Sequence, residues 1–263
     1  MRSSNPVLRE DLFSAQRDGG SGIMGQLASK AASTSMSLMG TIIKSGILLF
    51  ICVVAAIVSG SIAGSAEPVI RPTYLWLGGG IVGLVLSLII SFVPKSAPFL
   101  APIHAIAQGA LLGGISVMYS DRLGPQFSGM IVQAVFLTFG IFAGLLTAFS
   151  FGFIRIGGMF RKCLVAAIVG IGLTYLGNIL MSAFGINVLN STIFANGWIG
   201  IGFSLVVIVV ASLTLVLDFQ FIEEGIESNA PKYMEWYAGF ALLVTLVWLY
   251  LEILRLLSKL RRG

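Results

Sequence analysis

Charge is what this chain lacks most. Among 263 residues, 16 are lysine or arginine and 11 are aspartate or glutamate, so 10% carry charge. A soluble domain carries about a quarter of its residues as charged. So little charge could not cover a soluble surface of this size, and lipid must take its place. Histidine is nearly missing, with His104 alone, and there are two cysteines, Cys52 and Cys163. One histidine and two distant cysteines make neither a metal cluster nor a disulfide framework. Both cysteines lie in or at the ends of apolar runs and are expected to be buried, inert thiols. No His-Glu-x-x-His, Walker loop or dinucleotide fingerprint occurs, and no flanking signature supports a Ser–His dyad at His104. An intramembrane aspartyl protease needs two placed aspartates, and Asp218 alone lies within a span. The sequence therefore predicts no enzyme, no metal site and no resident cofactor.

Apolar residues are what it has. They make up 57% of the chain, with 18 phenylalanines and 32 glycines, and the mean hydropathy is +0.97. Seven apolar segments are legible, at 38–63, 74–93, 98–119, 127–151, 163–184, 199–222 and 237–257. Each is near the roughly 20 residues a helix needs to cross an apolar core of about 30 Å. Open strands cannot substitute, because lipid gives their backbone no partners. The alternating pattern of a barrel strand does not occur. The fold class that follows is an all-α membrane protein, a seven-transmembrane-helix bundle occupying 36–263. Residues 1–35 are expected to form a polar, disordered N-terminal tail. Arg2, Arg9, Glu10, Asp11, Arg17 and Asp18 spread charge where a secretory signal would place its apolar stretch, so the tail is expected to be retained.

Lysine and arginine in short loops set orientation. With the N-terminus cytoplasmic, that side holds Arg2, Arg9, Arg17, Lys30, Lys95, Arg155, Arg161, Lys162 and Lys232, and the other holds Arg71 and Arg122. Lys259, Arg261 and Arg262 break the pattern. Either they lie outside, or the seventh segment does not fully cross. The basic residues are expected to meet lipid headgroups. Nucleic acid is not an expected partner, since no basic stripe carries interleaved aromatics.

Charge inside a bilayer costs several kcal/mol, so each polar residue within a span is a functional candidate. Lys44 sits early in the first segment and can snorkel to the interface. His104 and Gln108 share a face of the third helix, four residues apart. They read as a site or as helix-packing hydrogen bonds, and Asn178 in the fifth segment likewise. Glu252 and Arg255 share a face of the seventh, as a functional pair or a simple intrahelical ion pair. Asp218 is the sharpest candidate. It ends a nearly unbroken apolar run and precedes Glu223, Glu224 and Glu227. Its other reading is a helix-end carboxylate wetted at the headgroups. A carboxylate in low dielectric holds its proton more tightly, more so beside a second acid, which makes it a natural pH gate. Oxygen ligands also suit hard cations such as Ca²⁺.

At Leu217-Asp218-Phe219-Gln220-Phe221-Ile222-Glu223 the chain resembles the Bax inhibitor family, in its bacterial branch. Glu235-Trp236-Tyr237 and the run from Val247 to Leu257 resemble that family's seventh helix. Pro98 to Ile103 with Gly109 to Gly114 resemble its third, and Arg2 to Leu8 a bacterial leader. The resemblance implies seven helices with the last one central, in a bacterial inner membrane. It implies a pH-sensitive calcium leak, with transient Ca²⁺ and gating by two aspartates that share a proton. Asp218 matches the first. The second falls at Thr245 when counted from Asp218, and at Glu252 when the local text is matched. Some bacterial relatives look like modulators of membrane quality-control proteases, which need no pore. Three readings follow: a cation leak at Asp218 and Glu252 with Arg255, His104, Gln108 and Asn178 in support; a non-conducting regulator of a protease; and an intramembrane enzyme or small-solute transporter.

Overall fold

The computed structural model describes residues 35–65, 71–124, 127–185 and 197–262. Within them lie seven helices: α1 Leu38–Ala63, α2 Pro72–Phe92, α3 Ala97–Leu123, α4 Phe127–Ser150, α5 Gly158–Ala183, α6 Trp198–Glu227 and α7 Met234–Arg262. A 3₁₀ turn, Pro94–Ser96, joins α2 to α3. All seven helices are long and apolar enough to cross a membrane. The all-α bundle read from the sequence is the fold. The expected tail lies outside the described residues except for Ser35, which forms an isolated antiparallel bridge with Pro231.

Helix ends follow local chemistry. Ser37 caps α1, its hydroxyl accepting from the Gly40 amide. Prolines open α2 and α3, where a missing N–H costs nothing. Asn229 takes a positive φ of 53° and turns the chain sharply from α6 into α7.

The last helix is the centre. Over half of its apolar window is buried, more than in any other described helix. Leu242, Leu246, Leu249 and Ile253 join one core with residues of α4 and α6. Phe240, Leu243 and Val247, on another face, join a second core with α1 and α3. α5 packs on the outside of α6 through Leu164, Ile171, Val207 and Val210. α2 is held through α3, and glycine makes that contact possible. A Cβ on Gly79 would lie 2.6 Å from the Ala107 carbonyl oxygen. On the opposite face of α3, a Cβ on Gly113 would lie 2.0 Å from the Ser59 hydroxyl and 2.6 Å from the Ala56 carbonyl oxygen of α1. Close backbone approach is how helices associate where lipid removes any hydrophobic drive between them.

α7 runs the full length of the bundle. With 29 residues it is about 43 Å long. It begins beside the start of α1 and ends beside the start of α6, where Lys259 Nζ donates to the Gly200 carbonyl at 2.7 Å and to Ser204 Oγ at 3.0 Å. The seventh segment therefore spans the whole bundle. Lys259 is buried inside the protein, so one of the three basic residues that broke the loop-charge pattern is an internal residue. Two other expectations need correction. Cys52 is buried, but Cys163 is exposed on α5, because α5 presents most of its surface outward. Lys44 does not snorkel; it turns inward to an acid on α7.

Candidate functional site

The polar residues singled out in the sequence fall into three clusters, and the central helix touches all three. The first is the seam between α6 and α7. Leu215, Phe219 and Ile222 of α6 bury against α7, which brings Asp218 to the edge of the same contact. Asp218 is half-buried. Its Oδ2 atom is shielded from solvent and has no hydrogen-bond partner. The polar neighbour across the seam is Thr245, whose hydroxyl interacts with the Asp218 carboxyl and also donates to the Ala241 carbonyl at 3.2 Å. Among the described residues no ion pair reaches Asp218.

Glu252 belongs to a second cluster, further along α7. Its Oε2 accepts from the Tyr175 hydroxyl of α5 at 2.7 Å and from the Arg255 guanidinium at 2.7 Å. Arg255 also donates to the Tyr175 hydroxyl, and its guanidinium carbon lies 5.0 Å from that ring's centroid. The second carboxylate oxygen, Oε1, is buried and unpartnered. Thr245 and Glu252 are seven residues apart, which is about 10 Å along a helix. The structure does not bring Asp218 and Glu252 together. The residue facing Asp218 is Thr245, as in the alignment counted from Asp218.

The third cluster sits between α2 and α3. His104 is fully buried. Its Nε2 lies 2.9 Å from the Ser87 hydroxyl and 3.2 Å from the Gln108 side-chain nitrogen. Its ring meets Phe240 of α7 edge-on at 4.9 Å between centroids. Nδ1 has no partner. His104 and Gln108 thus form one unit, separate from both acids. Asn178, one turn beyond Tyr175 on α5, is half-buried and joins neither acid by a hydrogen bond. Among the described residues no group of three or more His, Cys, Asp or Glu could hold a metal ion.

Sequence reasoning passed over Glu235 as an interaction partner. It is fully buried in the first turn of α7. Its Oε1 accepts from the Ser37 amide at 2.9 Å and from the Ser37 hydroxyl at 2.9 Å. Its Oε2 is ion-paired with Lys44 of α1, whose ammonium also lies 5.6 Å from the Trp236 ring. One residue earlier, the Met36 amide donates to the Ala230 carbonyl at 2.7 Å. The entry to α1 is thereby latched onto the α6–α7 turn. The signal was present as two lone opposite charges near the ends of apolar runs, but nothing local paired them.

A central last helix with an aspartate on its neighbour is the arrangement that the resemblance implied. The family model described as Bax inhibitor 1 like matches residues 5–262. The chain belongs to this family. No curated protein and no solved structure matches it. In this Bax inhibitor 1 like protein, Asp218 lies on the sixth helix and the position facing it on the seventh carries a hydroxyl.

Proposed function

We propose that this Bax inhibitor family protein is a proton-responsive leak for cations, calcium among them, gated at Asp218. The observation that carries this reading is the buried, unpartnered carboxyl oxygen of Asp218 on the seam with the central helix. Ionised, the group is a charge without a counter-charge in a poorly solvated place, which is costly. Protonated, it is neutral and can donate to Thr245. One proton therefore separates two arrangements of α6 against α7, and such a bistable contact is what a gate requires. Glu252 is assigned a structural role, since Arg255 and Tyr175 already compensate it. In this reading the protein sits in a bacterial inner membrane with its N-terminus inside, and the basic loops support assigning the Ser37 and Glu235 end to the cytoplasmic side. Arg155 and Arg161, paired there with Glu223 and Glu224 at the end of α6, belong to that face. No catalysis and no resident cofactor are assigned, and calcium is a permeant ion.

Calcium and potassium flux in proteoliposomes, followed from acidic to mildly alkaline pH, tests the proposal. Flux above that of empty liposomes, varying with pH in the native chain and independent of pH in Asp218→Asn, is expected. Flux no greater than in empty liposomes at every pH overturns it.

The second reading is a non-conducting regulator of a membrane quality-control protease, and one observation favours it. The residue facing Asp218 is Thr245, so the two acids that would share a proton are not both present. Under this reading a membrane protease co-purifies with the full chain and is lost when residues 1–34 are removed.

A further inference from the structure

The central helix is not enclosed on every side. α1 and α4 are scarcely in contact with one another, and between them lies a cavity of about 280 Å³. Leu243, Leu246, Val247 and Tyr250 of α7 form its floor. Cys52 and Ala56 of α1 form one wall, and Val135 and Phe139 of α4 the other. Val53 and Ile57 on the α1 side, with Val135 and Phe139 on the α4 side, are all exposed on the outer surface of the bundle. The mouth therefore opens sideways, toward lipid. The lining residues sit near the middle of α1 and α7, at the depth of hydrocarbon tails rather than headgroups.

The lining excludes water and polar ligands. Nearly every side chain in it is apolar. The hydroxyls of Ser116 and Thr138 already donate to the Leu112 and Ala134 carbonyls, at 2.8 Å and 2.7 Å. The Tyr250 hydroxyl is engaged with Ser116. A water needs several polar partners, and an apolar cavity stays dry. Left empty, the cavity forfeits dispersion contacts along its whole lining.

We infer that this cleft is a binding site for a lipid acyl chain, which enters between α1 and α4 and lies against the central helix. The space is large enough for a segment of one acyl chain. The occupant meets the face of α7 that bears Leu243, Leu246, Val247 and Tyr250. Thr245, with Asp218, belongs to a different face of the same two turns. Acyl-chain occupancy therefore acts on the helix that carries one side of the α6–α7 seam, and the site stands whether or not the seam gates a pore.

The test uses the full chain in phosphatidylcholine bilayers with palmitic acid carrying a mid-chain diazirine. After photolysis, adducts are mapped by mass spectrometry. Adducts on Leu243, Leu246 or Val247 are expected, falling several-fold in Ala56→Phe, which fills the cleft. Should that variant lose its thermal transition, Val135→Phe narrows the opposite wall instead. Adducts confined to outward residues such as Phe50 and Phe136, with α7 unlabelled, overturn the site. So do α7 adducts that neither filling variant reduces. The oligomeric state in the same bilayers is the independent readout: α7 labelled in monomers and shielded in a dimer assigns the cleft to a second copy and overturns the acyl-chain site.

Discussion

Asp218 of α6 faces Thr245 of α7, and the acid that text matching offered as its partner, Glu252, lies two turns away in a pairing of its own. The consequence is a seam with a single carboxylate. Whatever proton chemistry occurs there involves one group whose counterpart is a hydroxyl.

Thr245→Asp places a second carboxylate opposite the first. Two acids in such contact share a proton and titrate as a pair. Cation flux against pH is expected to change from one step to two, and Asp218→Asn in the same background is expected to restore one. A profile identical to the native one would remove the seam from the gate.

Glu252→Gln takes a carboxylate from Arg255, whose guanidinium is partly exposed and keeps its bond to Tyr175. The loss is expected to be about 1 to 2 kcal/mol, read as a lower thermal midpoint of the detergent-solubilised protein. Tyr175→Phe, which removes one hydroxyl from the same cluster, is expected to cost about 1 to 2 kcal/mol. The pH profile of flux is expected to be unchanged in both. A shifted profile in Glu252→Gln with stability intact would return Glu252 to the gating machinery.

Lys44 and Glu235 join α1 to α7, and a double-mutant cycle measures the link. Lys44→Met strands a fully buried carboxylate and is expected to cost about 3 kcal/mol. Glu235→Gln is expected to be milder, since Ser37 still has an oxygen to bond. The double variant is expected to be more stable than Lys44→Met alone. Additive losses in the cycle would mean that the two charges do not interact in the membrane. Gly40→Ala gives a second check. A Cβ there would lie 2.3 Å from Glu235 Oε1, so the latch must shift and stability is expected to fall.

Gly113, like Gly109, is a point of close approach between α1 and α3. A methyl group there meets the α1 backbone at Ala56 as well as the Ser59 hydroxyl. Overpacking of this kind costs about 1 to 3 kcal/mol, and Gly113→Ala is expected to lower the thermal midpoint accordingly. Gly46→Ala, at a position with open space around it, is the control and is expected to be neutral. Equal effects at the two sites would deny the close approach.

The seven helices were legible because each answers a local requirement. In hydrocarbon the backbone must satisfy its own hydrogen bonds, so an apolar run of sufficient length is a helix whatever lies beside it. That is why the first span matches from Leu38 to Ala63. Near the ends the match is looser. α5 begins at Gly158, five residues before the apolar run at Cys163, and carries Arg161 and Lys162 within it, because a helix continues into the headgroup zone beyond its apolar stretch.

Side-chain partnerships were not legible, because they join residues far apart in the chain. Lys44 reads as an interfacial lysine until α7 brings Glu235, 191 residues away, against it. Lys259 reads as a topology signal until α6 supplies Gly200 and Ser204. The choice between Thr245 and Glu252 as the residue facing Asp218 had no local solution, since both lie on the same apolar helix. By itself the sequence determined the number of spans, the family and the presence of a few costly polar groups, all of which follow from composition, run length and local text. Only the tertiary structure decided which of those groups compensate one another, because charge pairing depends on distances of a few ångströms between helices whose mutual rotation no single helix encodes.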